Sequence, residues 1–246
     1  MKVVVGCWVL AVGCAEAPRG TGVGSGTKVT AITSAASGEA AEAADASYDG
    51  PEDGSAGAFL DGHVEAASAD ARRGTLVAHI GDSFAEAWFE QNLRGRFRGV
   101  GAKYWVKAET SAATTTWVYH PDFQLMMAAR PALVIISLGA NEFDMPTPEI
   151  HAGAVRSLAK KASVSGSCVW VAPPRWKKDT GILDVIRRNC APCLYFDTDS
   201  IVPDIERQSW DRIHPNEKGG AKWAAAFWQW LEDHRVPEHG AWALRE

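Results

Sequence analysis

The sequence predicts a three-layer α/β/α domain in which helices cover both faces of a central, mostly parallel sheet. From Gly74 onward, short apolar runs alternate with longer amphipathic runs, which is the pattern of strands alternating with helices. Several short runs, such as residues 132–136, are apolar on both faces, as expected of strands buried between two helical layers. Functional side chains in such domains gather beyond the carboxyl ends of the strands, so residues that directly follow strands are the first candidates for a site.

The individual elements follow in order from the length and period of these runs. The short apolar runs predict five strands, over residues 75–80, 103–107, 132–138, 168–172 and 193–196. The amphipathic runs predict helices over residues 84–97, 122–129, 149–164, 182–189 and 217–233. The last helix is the longest, and its Trp223, Trp228 and Trp230 lie at helical spacing, which is typical of side chains that pack on a core.

The segment before the predicted domain differs from it in composition. An apolar run over residues 3–12 is too short to span a bilayer and suits the core of a signal peptide. The run ends near Cys14 in a pattern that resembles a bacterial lipoprotein signal, so residues 1–14 are predicted to be a signal peptide with Cys14 as a candidate lipidation site. A plain secretory signal is the alternative. Residues 15–73 are rich in Ala, Gly, Ser, Glu and Asp and predict a disordered linker. The domain at 74–246 is therefore expected to be exported, either lipid-anchored in the cell envelope or secreted.

Charge and cysteine content bear on partners and cofactors. The net charge is −5 and no stripe of Lys or Arg could follow a phosphate backbone, so nucleic acid is not an expected partner. Cys190 and Cys193 enclose two residues, but no second cysteine pair or suitably spaced histidine accompanies them, which disfavours a zinc or redox site. A structural disulfide among Cys168, Cys190 and Cys193 is expected instead, and the sequence does not select the pair. No metal or cofactor is predicted, and a monomer is expected.

The first candidate for chemistry is Ser83, in the turn Gly81-Asp82-Ser83 between the first strand and a helical run. A serine at such a tight turn is lifted out of the sheet edge, with its own N–H directed toward the space for substrate. This placement suits a nucleophile. Taken alone, the tripeptide is more typical of a turn that caps a helix.

The second candidate pair is Asp211 and His214, three positions apart in the loop before the last helix. A serine hydroxyl is a poor nucleophile until a neutral imidazole accepts its proton, and a carboxylate on the other ring nitrogen fixes the tautomer. The short spacing lets the carboxylate and the imidazole meet through a single turn. Alone, His214 would be a surface or capping histidine.

The third candidate is Asn141, which follows the most apolar predicted strand in the run 138–142. Its side-chain amide could donate a hydrogen bond to a negatively charged oxygen that develops on an attacked carbonyl group. An asparagine that bonds its own backbone in a turn is the alternative.

Together these three motifs resemble the blocks of the SGNH/GDSL hydrolase family, in family order and at the expected strand ends. The resemblance covers about residues 75–231. It implies a flavodoxin-like sheet and ester hydrolysis through Ser83, His214 and Asp211. It also implies an oxyanion hole formed by the Ser83 N–H, the Asn141 amide and the N–H of a glycine.

The sequence departs from the family pattern at two positions. Ala112, in the run 109–115, occupies the place of the oxyanion-hole glycine. Its N–H is retained, but alanine is strained if the position requires a positive φ. Glu142 replaces the aspartate that usually follows the asparagine, a change expected to alter loop packing more than chemistry.

Two tryptophans in loops beyond strand ends, Trp176 and Trp210, are candidates for contact with substrate. With the expected export, they favour a short acyl group, such as acetyl, on a carbohydrate or another cell-envelope substrate. Two alternatives stay open. One is an O-acyltransferase of the same family, and the other is an inactive binding module with this fold, which the alanine at position 112 would favour.

Overall fold

The computed structural model describes residues 71–245. The predicted signal peptide, Cys14 and most of the predicted linker lie outside the described residues and stay predictions. Arg72 is buried, and its Nη1 donates to Glu232 Oε1 at 2.7 Å. Packing of the domain therefore begins at least two residues ahead of the expected boundary at Gly74.

The centre of the domain is a five-stranded parallel sheet with helices on both sides. The strands are β1 (Leu76–Gly81), β2 (Lys103–Ala108), β3 (Leu133–Ser137), β4 (Ser167–Val171) and β5 (Leu194–Phe196). Their spatial order is β2-β1-β3-β4-β5, with every neighbouring pair parallel. This is the flavodoxin-like order, and it confirms the predicted three-layer α/β/α class. From β1 the chain adds β2 on one side of that strand and then adds β3, β4 and β5 on the other side. A crevice is therefore expected at the carboxyl ends of β1 and β3.

Helices connect and follow the strands. They are α1 (Ala87–Gly99), α2 (Thr114–Trp117), α3 (Pro121–Ala128), α4 (Ala152–Ala162), α5 (Ile182–Asn189), α6 (Thr198–Ile201) and α7 (Glu217–His234). Short 3₁₀ turns cover Ser83–Ala85, Ala140–Glu142, Pro148–His151 and Pro237–His239. The five predicted helices are all present, α5 with the predicted bounds and the other four with shifted bounds, whereas α2 and α6 are too short to show a helical period in the sequence. No helix within residues 71–245 combines the length and the apolar character needed to cross a membrane.

The core confirms the expectation that the middle strands are apolar on both faces. Every residue of β3 is buried. On one side of the sheet, α1 packs against α7, where the Phe89 and Trp223 rings stack with centroids 3.8 Å apart. This close packing requires Gly220, because a Cβ there would overlap the Cβ of Trp88. The two helices α1 and α7 are therefore closely packed against each other on this side of the sheet.

One histidine of β1 belongs to the core. His79 is fully buried, with Nδ1 2.6 Å from the Tyr104 hydroxyl and Nε2 2.8 Å from Ser137 Oγ. Burial lowers the pKa of this imidazole to about 3, so it is neutral at physiological pH. Both ring nitrogens are occupied inside the sheet, and the side chain is not available for chemistry at the surface.

The expected disulfide joins Cys168 of β4 to Cys193, directly before β5. Cys190 remains a buried thiol whose pKa is raised by burial to about 11. The thiolate needed for exchange is therefore disfavoured at Cys190, and it is not paired with Cys193. The crosslink ties the shortest strand to the sheet.

Candidate active site

Ser83 lies at the carboxyl end of β1, in the 3₁₀ turn that leads toward α1. Gly81 is needed before it, because a Cβ there would overlap both Ala85 and the carbonyl oxygen of Ser137 on β3. Asp82 stabilises the turn, since its Oδ1 accepts the Phe84 N–H at 2.9 Å. The turn predicted from Gly-Asp-Ser is thus formed, and it leaves the serine side chain half-buried at the crevice.

His214 and Asp211 meet Ser83 as a continuous chain of hydrogen bonds. Ser83 Oγ lies 2.9 Å from His214 Nε2, and His214 Nδ1 lies 2.7 Å from Asp211 Oδ2. The second carboxylate oxygen, Oδ1, accepts the backbone N–H groups of Ile213 at 2.8 Å and of His214 at 3.2 Å. Ser83 and His214 are 131 positions apart in sequence and are brought together by the fold, whereas Asp211 and His214 are three positions apart in one loop.

The protonation states suit transfer of a proton from serine. Burial acts to raise the pKa of Asp211, but the hydrogen bonds from the His214 side chain and from two backbone N–H groups outweigh it and hold the pKa below its ordinary value. The ionised carboxylate keeps a proton on His214 Nδ1, so Nε2 presents its lone pair to the Ser83 hydroxyl. This is the tautomer that a general base requires.

The loop that carries His214 is fixed at both ends. Arg207 donates through Nη1 to the Ile213 carbonyl and through Nη2 to the Arg175 carbonyl at 2.8 Å. At the other end, Asn216 caps α7 by accepting the Gly219 N–H at 2.9 Å. The imidazole is thus positioned by a loop with hydrogen bonds before and after it.

A cavity of about 270 Å³ opens at Ser83 and His214. Of the two tryptophans expected to contact substrate, Trp210 lines this cavity and is 77% exposed. Trp176 is not among the residues that line it, and its contact with substrate stays a prediction. Its Nε1 donates to the Ala140 carbonyl at 3.3 Å, and its ring packs against the core. The cavity is also lined by Trp88, which lies near Ser83 in sequence, and by residues that the sequence did not point to, namely Glu86, Ala87, Thr110 and Gln208.

The side-chain amide of Asn141, which was expected to bind the oxyanion, is hydrogen-bonded within the protein. Asn141 follows β3, beside the end of β1, and its Nδ2 donates to the Ala112 carbonyl at 2.9 Å and lies 3.4 Å from Asp82 Oδ2. The amide is therefore next to the serine turn but bound to the protein. Its role as an oxyanion donor stays a prediction.

The backbone N–H of Ala112, another predicted oxyanion donor, is also hydrogen-bonded within the protein, and its role stays a prediction. Its N–H donates to the Glu109 carbonyl at 3.0 Å, so in this structure it closes a turn and is not a free donor. The residue in the left-handed region is Ser111, with φ of 64°, and Ala112 is not among the residues with positive φ. The strain anticipated at Ala112 is absent because the turn places it one residue earlier.

A buried polar network lies behind Asn141. Glu142 Oε1 accepts the Thr114 N–H at 2.6 Å, and Thr114 Oγ1 lies 2.7 Å from His151 Nδ1. Burial raises the pKa of Glu142, and burial together with the Glu142 charge raises the pKa of Asp82 to about 7. Glu142 thus joins the loop after β2 to the loop after β3. Nothing in the sequence pattern pointed to His151 as its neighbour.

No group of three or more His, Cys, Asp or Glu side chains within residues 71–245 is arranged to hold a metal ion.

Comparisons with known proteins identify the fold. No protein-family model matches the chain, and no curated protein matches it. Among solved structures, TesA is similar with a TM-score of 0.52 and 18% identity, over 65% of this chain and 99% of TesA. Family 3 carbohydrate esterases are also similar. The enzyme of Clostridium thermocellum has a TM-score of 0.52 and 15% identity, over 65% of this chain and 96% of that one. The enzyme of Talaromyces cellulolyticus has a TM-score of 0.50 and 15% identity, over 65% and 97%.

The chain has the fold of these proteins. At such low identity the likeness concerns architecture alone, and the chemistry has to be argued from the side chains around Ser83.

Proposed function

We propose that this protein is a serine hydrolase of the SGNH/GDSL type that cleaves carboxylic esters. The observation that carries the proposal is the hydrogen-bonded series from Ser83 Oγ through His214 to Asp211, at 2.9 and 2.7 Å. A serine next to a correctly oriented imidazole–carboxylate pair is the arrangement that activates a hydroxyl for acyl transfer.

The reaction follows from the positions of these groups. Ser83 Oγ attacks the ester carbonyl carbon as its proton passes to His214 Nε2, and Asp211 stabilises the imidazolium that results. The tetrahedral intermediate collapses when His214 returns the proton to the leaving alcohol oxygen, which gives an acyl-serine and a free alcohol. Water then attacks the acyl carbon as its proton passes to His214, the bond from the acyl carbon to Ser83 Oγ breaks, and His214 returns the proton to Ser83 Oγ as the acid leaves. The net reaction is ester plus water to acid plus alcohol.

Two donors are assigned to the oxyanion in this proposal. The Ser83 N–H lies at the turn itself, and the Asn141 amide would exchange its bond to the Ala112 carbonyl for one to the charged oxygen. The Ala112 N–H, which the Glu109 carbonyl occupies, is left out of the assignment.

A short acyl group on a carbohydrate or other cell-envelope substrate is the finer part of the proposal. The cavity at Ser83 and His214 has a volume of about 270 Å³, close to the lower end of the ~300–1,000 Å³ typical of sites for drug-sized ligands, so it has room for a short acyl group. The exposed Trp210 offers an aromatic face at its rim. Two structures of similar fold are carbohydrate esterases by name.

The expected cellular location remains part of the proposal. An exported, lipid-anchored protein would hold its substrate site near the cell envelope. Membrane fractionation of the full chain and of a Cys14→Ala variant tests the anchor, since only the former should sediment with membranes.

The deciding experiment is hydrolysis of p-nitrophenyl acetate by the wild type and by Ser83→Ala. We expect turnover to fall at least about a thousandfold, because within residues 71–245 Ser83 is the hydroxyl residue hydrogen-bonded to His214 Nε2. Ser209→Ala, an exposed serine two residues after Arg207, is the matched control and should keep wild-type activity. Unchanged turnover in Ser83→Ala with an intact melting temperature would remove Ser83 from the mechanism.

The same preparation tests the acyltransferase alternative. Incubation with an activated acetyl ester and neutral glycan acceptors should release only acetate if the enzyme is a hydrolase. Accumulation of acetylated glycan would assign it instead as a transferase.

A further inference from the structure

The wall of the Ser83 cavity contains a strained residue at the start of α1. Ala87 has φ of 53°, in the left-handed region that residues with a Cβ rarely adopt, and it lines the cavity. Backbone strain of this kind is typically retained where the surrounding structure uses it. Here the turn places Glu86 and Trp88, on either side of Ala87, along the same cavity wall.

A second depression of about 270 Å³ continues from this wall. It shares Trp88 with the Ser83 cavity and is otherwise lined by Gln91, Asn92, Glu217 and Ala221. The close packing of α1 on α7 at Gly220 brings the starts of the two helices together beneath it. The lining therefore combines one tryptophan with two amide side chains, one carboxylate and one alanine.

The polar groups of this depression are available to a ligand. Gln91 and Glu217 are exposed. Asn92 donates through Nδ2 to the Trp88 carbonyl at 2.7 Å, which fixes the side chain and leaves its Oδ1 as an acceptor. Planar amides and carboxylates beside an aromatic face suit a ring that has apolar C–H faces and a rim of hydroxyl groups.

The position of His214 determines which part of an ester would reach this depression. In the proposed reaction, His214 protonates the leaving alcohol oxygen, so the alcohol portion has to lie on the His214 side of Ser83. The loop carrying His214 continues through Pro215, which lines the first cavity, to Glu217, which lines the second. An alcohol larger than one ring would extend along this path.

We propose that the depression between α1 and α7 is a binding subsite for a neutral sugar ring of the alcohol portion, with Trp88 as the stacking face and Gln91, Asn92 and Glu217 as partners for ring hydroxyls. This proposal rests on the proposed ester hydrolysis at Ser83. Among the described residues that line the two depressions there is no lysine or arginine, while Glu86 and Glu217 add two carboxylates. A uronic acid ring would be repelled by these carboxylates, which is why the ligand is neutral.

The test compares the hydrolysis of two esters, one with a sugar as its alcohol portion and one without, by the wild type and by variants of the subsite. Acetate release from a neutral acetylated manno-oligosaccharide and hydrolysis of p-nitrophenyl acetate are measured for the wild type, Gln91→Ala, Glu217→Gln and Trp88→Phe. We expect the ratio of kcat/KM for the oligosaccharide to kcat/KM for p-nitrophenyl acetate to fall at least about tenfold in each variant, mainly through a higher KM. Gln229→Ala, an exposed glutamine farther along α7, is the control and should leave the ratio unchanged.

The outcomes separate the subsite from the reaction. If the wild type hydrolyses p-nitrophenyl acetate through Ser83 but the ratio is the same in all variants, the subsite is overturned and the hydrolase proposal stands. A wild type that prefers an acetylated oligogalacturonide, which is anionic, over the neutral oligosaccharide also overturns the subsite. If the wild type hydrolyses neither ester, the reaction itself is wrong and the subsite falls with it. Melting temperatures within a few degrees of wild type show that the variants are folded.

Discussion

Ser83 lies between two regions whose polar side chains form different hydrogen bonds: those of one region reach Ser83 itself, and those of the other go to neighbouring protein groups. On the side of α7, His214 and Asp211 are half-buried, and their bonds already have the direction that proton transfer requires. On the side of β3, Asn141 donates to the protein itself, and the carboxyl groups of Asp82 and Glu142 behind it are buried. In the proposed reaction the first region is organised before substrate arrives, whereas the second would exchange the bond from Asn141 to the Ala112 carbonyl for one to the oxyanion. Catalysis and stability should therefore respond differently to changes on the two sides.

The largest effect is expected on the organised side. His214→Ala removes the imidazole whose Nε2 lies 2.9 Å from Ser83 Oγ and would accept its proton, so kcat for p-nitrophenyl acetate should fall about a thousandfold or more. His239→Ala, an exposed histidine on a 3₁₀ turn near the carboxyl end, is the control. A loss of tenfold or less would contradict the role of His214 as general base.

A smaller effect is expected on the side that must rearrange. Asn141→Ala should lower kcat about a hundredfold with little change in KM, because the amide would act on the transition state and not on the bound ester. Steady-state kinetics with p-nitrophenyl acetate measure both constants. A loss below about threefold would mean that Asn141 serves only to join the Ala112 carbonyl to the Asp82 carboxyl group, as in the structure described here.

The two sides should also differ in how pH affects the free energy of unfolding. The pKa of Asp82 is raised to about 7 from 3.8, so between these values the folded chain retains a proton that the unfolded chain loses, and stability falls as pH rises. The pKa of Asp211 is lowered, so its contribution is present above pH 3.8 and is lost as pH falls below it. Urea denaturation from pH 4 to 8 should show a flatter profile for Asp82→Asn than for the wild type. A parallel profile would show that the Asp82 carboxyl group is already ionised in the folded protein across this range.

The smallest effect is expected at Ala112. Because its N–H closes a turn and Ser111 carries the positive φ, Ala112→Gly should change kcat/KM by less than about threefold. The added freedom of the unfolded chain should cost about 0.4–1 kcal/mol of stability, measured by urea denaturation. A gain in activity of tenfold or more would show that the glycine geometry of the family is needed here after all.

Much of the fold could be predicted because it depends on local pattern. The apolar run that became β3 and the alternation from Gly74 onward identify a parallel sheet covered by helices. The meeting of Asp211 with His214 was also predictable, because three residues of one loop separate them. The resemblance of the three motifs to the SGNH/GDSL blocks then predicted that Ser83 lies beside this pair.

The remaining features depend on turns and on contacts between distant segments. The hydrogen bond of the Ala112 N–H is a property of the turn from Glu109, and Trp176 turns toward the core although its position in sequence resembles that of Trp210. The contact of His151 with Thr114 spans 37 residues with no recurring spacing to mark it. The choice of Cys193 over Cys190 as the partner of Cys168 likewise follows from the strand pairing of β4 with β5.

The absence of a side chain at Gly81 has a consequence for how the site tolerates change. The nucleophile turn and the asparagine loop begin at paired positions of adjacent strands, Gly81 and Ser137, with backbone in direct contact where a methyl group would not fit. Their separation is thus set by the sheet ladder and not by adjustable side chains. Substitutions in the surrounding loops can reshape the cavity at Ser83 without moving these two turns apart, whereas Gly81→Ala would disturb both at once.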